Sequence, residues 1–205
     1  MRFLELKESL KYFTLFSLND IRAVDGSFHR RRLNEWQEKG YVKKVIKGYY
    51  IFSDLELNES TLFEIANRIY APSYISLEMA LSYYHLIPES VYGITSVTTR
   101  KTYRFRTEIA EFSYRTLKPA LFFGFELVRY DGKVFKIAAV EKAVLDFLYL
   151  NPHLKTEEDL RGLRLDMNMF REQVNGEKMN GYLELFESQA LSRRVRALWR
   201  LLEND

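Results

Sequence analysis

The chain contains no cysteine. That excludes disulfides, iron–sulfur clusters, thiolate zinc sites and a cysteine nucleophile. Glycine and proline are also scarce, at 9 and 4 of 205 residues, so this is no flexible low-complexity chain. No apolar run approaches the roughly 20 residues of a membrane-spanning helix. The opening MRFLELKESLKYF interrupts its apolar residues with Glu5, Lys7, Glu8 and Lys11. It does not read as a secretory signal, and a cytoplasmic protein is expected. The three histidines, His29, His85 and His153, sit in no ligand spacing, so no metal site is expected. There is no phosphate loop and no GxSxG nucleophile elbow. Glu5-Leu6-Lys7 has the Glu-x-Lys spacing of a nuclease, but nothing acidic precedes it on its helix. Glu141 and Asp146 share one helix and read as caps, ion-pair partners or a polar face rather than an acid/base pair. No catalysis and no cofactor are expected.

What is present is an uneven charge. The net +3 lies entirely in residues 1–57, which hold 11 basic and 8 acidic residues; the remainder balances. Between Arg22 and Ile51, eight basic residues face three acidic ones. This is either a footprint for a phosphate backbone or a solvated basic surface.

Residues 1–57 read as a winged helix-turn-helix domain. A helix near Leu4–Tyr12 comes first. Ser17 and Asp20 form a capping-box pattern ahead of a short helix over Leu18–Val24, which stops at Asp25-Gly26. Ser27 is placed to cap a third helix near Phe28–Lys39, closed by Gly40. His29, Leu33 and Trp36 recur at i, i+4 and i+7 as its core stripe. Arg30, Arg31, Asn34 and Gln37 then project elsewhere, with Arg32 at the margin. Arginine pairs bidentately with guanine, and asparagine or glutamine with adenine. The following YVKKVIKGYYIF reads as a hairpin turning at Lys47-Gly48. Its Lys43, Lys44 and Lys47 suit phosphate contact, or protect an edge strand from aggregation. The candidate DNA-binding set is Ser27, Arg30, Arg31, Arg32, Asn34, Gln37, Lys43, Lys44 and Lys47.

Residues 58–205 read as a second, mixed α/β domain. Helices are expected over Ser60–Tyr70 and after Ser76. Strands follow in VYGITSVTT, KTYRFRT, EFSYRTL, FELVRY and KVFKIA, with a hairpin at Asp131-Gly132. Helix VEKAVLDFLYL and about three more close the chain. Blocks of this kind are α+β, with a mainly antiparallel sheet flanked by helices. Arg100, Lys101, Arg104 and Arg106 cluster, with Arg115 and Lys118 on the next strand. They form a solvated sheet face, a second DNA contact, or an RNA or toxin surface. Leu191, Val195, Leu198 and Leu202, among Arg193, Arg194, Arg196 and Arg200, read as core or as a dimer seam.

One long stretch is specific. Tyr74, Ser76, Leu77, Ala80, Leu81, Tyr84, Leu86, Ile87, Pro88, Val91, Tyr92, Thr95, Ser96 and Thr98 follow a distinctive pattern. Ile137, Ala138, Glu141, Lys142, Ala143, Leu145 and Asp146 continue it downstream. With the winged helix upstream, the chain resembles the AbiEi family of antitoxins and viral-defence regulators, to about residue 150. The last 55 or so residues match least. The resemblance implies a repressor that binds double-stranded operator DNA in its own operon. It also implies an antitoxin against a companion nucleotidyltransferase toxin, in a type IV system where the two need not bind directly. A homodimer on DNA would suit such a repressor. A stand-alone regulator whose second domain dimerises or senses a ligand is the alternative. A nucleic-acid enzyme is a third, which needs an acidic cluster that the sequence lacks.

Overall fold

A computed structural model describes residues 1–88 and 93–204; Val91 and Tyr92 lie outside the described residues. Helix α1 runs over Phe3–Ser9, ending before the expected Tyr12. Strand β1 (Phe16–Ser17) leads into helix α2 (Leu18–Val24). Here the capping box forms as read: Ser17 Oγ accepts from the Asp20 amide at 3.3 Å, and the Ser17 amide donates to Asp20 Oδ2 at 2.7 Å. Helix α3 spans Arg30–Glu38. Strands β2 (Val42–Ile46) and β3 (Tyr49–Phe52) make a hairpin, and β1 joins it in the antiparallel order β1-β3-β2. Gly40 (φ +71°) ends α3 and Gly48 (φ +91°) turns the hairpin. Both lie in the left-handed region that glycine enters without steric cost. Leu6, Leu10, Phe16, Ile21, Leu33, Trp36 and Tyr50 are among the residues of one apolar cluster beneath these elements.

Helix α4 (Glu59–Ile69) follows, capped by Asn58, whose Oδ1 accepts from the Thr61 amide at 2.9 Å. Then comes a six-stranded sheet of β4 (Ser73–Ile75), β5 (Ile94–Thr98), β6 (Tyr103–Arg106), β7 (Glu111–Thr116), β8 (Phe125–Tyr130) and β9 (Lys133–Ala138). Its order is β6-β7-β5-β4-β9-β8. The β6/β7, β4/β5 and β8/β9 pairs are antiparallel, while β5/β7 and β4/β9 are parallel, so the sheet is mixed. Helix α5 (Leu77–Tyr83) follows β4, and helix α6 (Val140–Leu150) follows β9. Four further helices are described where about three were expected: α7 (Glu157–Arg161), α8 (Met167–Gln173), α9 (Gly176–Leu185) and α10 (Gln189–Asn204). The architecture is α+β, and none of its described helices is long and apolar enough to cross a membrane.

The α10 stripe is settled by burial. Leu191, Val195, Leu198 and Leu202 all lie in the larger core of this chain, and Arg194 donates to the Leu148 carbonyl. The dimer-seam reading of that stripe is therefore withdrawn. The first 57 residues do not stand apart from the rest. Leu15, Val45 and Ile51 belong to the larger core. Buried Glu64 of α4 accepts from Thr14 Oγ1 at 2.6 Å and from the Tyr130 hydroxyl on β8 through the same oxygen.

Candidate nucleic-acid interface

Two expectations about α3 are corrected. Ser27 does not cap it. The Ser27 hydroxyl and amide donate instead to Asp25 Oδ1, at 2.6 and 3.1 Å, closing the α2–α3 link as an Asx turn. Those bonds, with the N-terminal ammonium 3.4 Å away, hold the Asp25 carboxyl below its ordinary range. The nearer carboxylate outcompetes the helix for the serine. The helix therefore starts two residues late, with His29 at the cap position and making no side-chain cap bond. The second correction follows from that shift. His29 is exposed, and Phe28 is buried in its place, 5.3 Å from the Trp36 ring. Phe28 precedes the cap, the position of a hydrophobic staple.

Leu33 and Trp36 are buried, which turns Arg30, Arg31 and Asn34 outward, all exposed. Arg31 Nε pairs with Glu35 at 3.3 Å. Arg32 is half-buried, its guanidinium 5.6 Å from the centre of the Trp36 ring. Gln37 is half-buried too, and its side-chain amide donates to the Leu33 carbonyl. On the hairpin, Lys43, Lys44 and Lys47 are exposed, and the register slips between Lys44 and Ile46. Among the described residues, Arg30, Lys43, Lys44 and Lys47 form no ion pair. Their charge is therefore uncompensated locally. Arg30, Arg31 and Asn34 thus share one helix, and the three lysines the hairpin that follows it.

The basic cluster beyond residue 99 divides. Arg104 and Arg106 lie exposed on β6 and both pair with Glu111 of β7, at 2.5 and 3.0 Å. Tyr103 and Phe105 pack against Tyr70, with ring centres 6.0 and 5.7 Å away, so the expected alternation holds. Arg100 lies over Tyr70 at 4.1 Å and donates to the Ala71 carbonyl at 3.2 Å. Lys101 is exposed. Arg115 is withdrawn from that surface: it donates to the Leu150 carbonyl and to Asn151 Oδ1, holding the end of α6.

Glu141 and Asp146 are not a polar face. Both are buried. Asp146 pairs with Lys142 and accepts from the Tyr74 hydroxyl and Ser76 Oγ, each at 2.9 Å, while Lys142 Nζ donates to Tyr74 at 2.9 Å. Ser76, at the N-cap position of α5, turns its hydroxyl to Asp146, and its side chain makes no cap bond. Burial pushes the Asp146 carboxyl up and the Lys142 ammonium down, each opposed by the other's charge. Glu141 pairs with Lys178 at 2.9 Å and accepts from the Asn175 amide. The signal for the Lys142–Asp146 pair is the i, i+4 spacing inside an apolar helix. Glu5 and Lys7 serve elsewhere, at the α1 start and in a pair with Asp54. No group of three or more His, Asp or Glu able to hold a metal occurs among the described residues.

Comparison with protein-family models and with curated proteins finds no match for this chain. The reading of the basic face therefore stands on the chain's own residues.

Proposed function

We propose that residues 1–57 form a winged helix that binds double-stranded DNA. Helix α3 would enter the major groove, and the β2–β3 hairpin would lie on the phosphate backbone as the wing. Arg30, Arg31 and Asn34 would read base edges, and Lys43, Lys44 and Lys47 would neutralise phosphates. Phosphate neutralisation supplies affinity, and the helix supplies choice of sequence. The observation that carries this reading is the exposure of Arg30, Arg31 and Asn34 on a helix anchored by Leu33 and Trp36, followed directly by a hairpin with three exposed lysines. The chain then acts as a transcriptional repressor of its own operon. By its resemblance to AbiEi proteins, the remaining residues act as antitoxin against a nucleotidyltransferase toxin. We assign no catalytic role, since Glu141 and Asp146 are held in buried ion pairs.

A DNase footprint on the DNA upstream of the gene tests this. The full chain is expected to protect one discrete stretch, and R30A/R31A to lose that protection while staying folded. No protection by the native chain would overturn the repressor reading. Co-expression with a nucleotidyltransferase encoded beside this gene tests the antitoxin part separately: growth rescue is expected, and continued growth arrest would overturn it.

A further inference from the structure

A cavity of about 360 Å³ opens where the link from α6 to α7 meets the first turns of α10. Pro152 and Lys155 of the link line one side, and Ala190, Arg193 and Arg194 of α10 line the other. No acidic residue lines it. Arg194 is only 8% exposed, and its Nη1 donates to the Leu148 carbonyl. That bond uses one of the five N–H groups of a guanidinium. Among the described residues Arg194 has no carboxylate partner, and neither have Lys155 and Arg193, which are both exposed. Burial pushes the Arg194 pKa down, with no anion opposing the shift. A buried charge is ordinarily paired; the side chains around this one supply no counter-charge. The neighbouring acceptors are already engaged: Leu148 with Arg194, Leu150 with Arg115, and Asp159 Oδ2 with the Lys155 and Thr156 amides. Ala190 lies in the first turn of α10, whose dipole adds a further positive field.

We propose that this cavity binds a small phosphate-bearing anion through its phosphate or diphosphate group. The planar forks of Arg193 and Arg194 suit bidentate contact with phosphate oxygens, and the Lys155 ammonium adds a point charge. Three cations are matched by a group carrying two or three negative charges, and poorly by a single carboxylate. Pro152 and Ala190 leave an apolar margin for whatever carries the phosphate, and the volume falls in the range of small-ligand sites. A duplex presents its phosphates on a convex surface, whereas Arg194 is nine-tenths buried, which favours a small ligand over a DNA backbone. Because the lining comes from both the link and α10, occupancy ties the two together and stabilises the fold by mass action. The site is independent of the DNA-binding reading.

The test is calorimetric titration of the full chain with pyrophosphate, in buffer free of phosphate and sulfate. Saturable one-to-one binding is expected, persisting at roughly 0.15 M salt, with glutarate binding far more weakly. K155Q and R193Q each weaken it by about tenfold, the loss of one charge-assisted contact. Both residues are exposed, so both variants keep the fold, which circular dichroism checks. R196Q, one turn along α10 at an exposed position outside the cavity, leaves binding unchanged. No saturable binding overturns the site. So does an equal loss with R196Q, which would mark a diffuse basic surface. Glutarate binding as tightly as pyrophosphate overturns the phosphate assignment. Release of bound pyrophosphate by a random-sequence duplex would give the cavity to the DNA backbone and overturn the small-ligand assignment.

Discussion

Single residues carry two different kinds of work here. Lys142 and Asp146 are fully buried, and each is the other's neutralising charge. Removing one partner from such a pair strands a charge in an apolar interior, which is costlier than the pair's net contribution. K142M is expected to lower unfolding free energy by about 3–5 kcal/mol. The double variant K142M/D146L recovers part of that loss, short of all because Tyr74 and Ser76 lose their acceptor. Urea titration measures both; an unchanged midpoint for K142M would contradict the account. The exposed basic residues behave oppositely. Arg104 and Arg106 already share Glu111, so charge reversal at both tests whether β6 touches DNA. Our account places the contact on α3 and the hairpin, and expects operator affinity and its salt dependence to be unchanged.

At the scale of elements, helix ends respond to acid. Asp159 Oδ2 accepts from the Thr156 and Lys155 amides at 2.8 and 2.9 Å, and these bonds hold its carboxyl below the ordinary 3.8. A group held lower in the folded state stabilises above its unfolded value, and that contribution disappears as pH falls through the folded value. Helix α7 is therefore expected to keep helical Cα shifts down to about pH 4 and to fray below it. Helical shifts that persist at lower pH would contradict this.

The elements also mark where sequence was legible. The hairpins at Lys47-Gly48 and Asp131-Gly132, the capping box at Ser17 and the α6 boundaries were all readable, because each rests on local chemistry. Strands β1 and β4 were not. Two and three residues are too few for an alternation to register, and β4 is buried on both sides. The parallel pairing of β5 with β7 depends on contacts that no local pattern encodes. At the candidate interface, the exposed arginines and lysines were legible from charge and period. The Ser27 cap and the His29 stripe failed for one reason: Asp25, two residues earlier, captured the serine and delayed the helix.

Across the whole molecule, the two halves interlock. Leu15, Val45 and Ile51 enter the larger core, and Glu64 joins Thr14 to Tyr130. Burial, with the bond to Glu64, pushes the Tyr130 hydroxyl above its ordinary range, so it remains a donor at neutral pH. Thermal unfolding is expected as one transition, with matching calorimetric and van't Hoff enthalpies. Two resolved transitions would contradict the interlock. E64A leaves two hydroxyls without an acceptor and is expected to lower stability by about 1–3 kcal/mol.

The central claim is that α3 chooses the sequence while the hairpin holds the backbone. A salt-series titration against the upstream DNA and a scrambled duplex tests it most directly. The account predicts that R30A/R31A erases the preference between the two duplexes. It predicts that K43A/K44A/K47A weakens both alike and flattens the salt slope by about 0.9 per lysine lost. Equal binding of the native chain to both duplexes, or a salt slope untouched by the lysine variant, would contradict it.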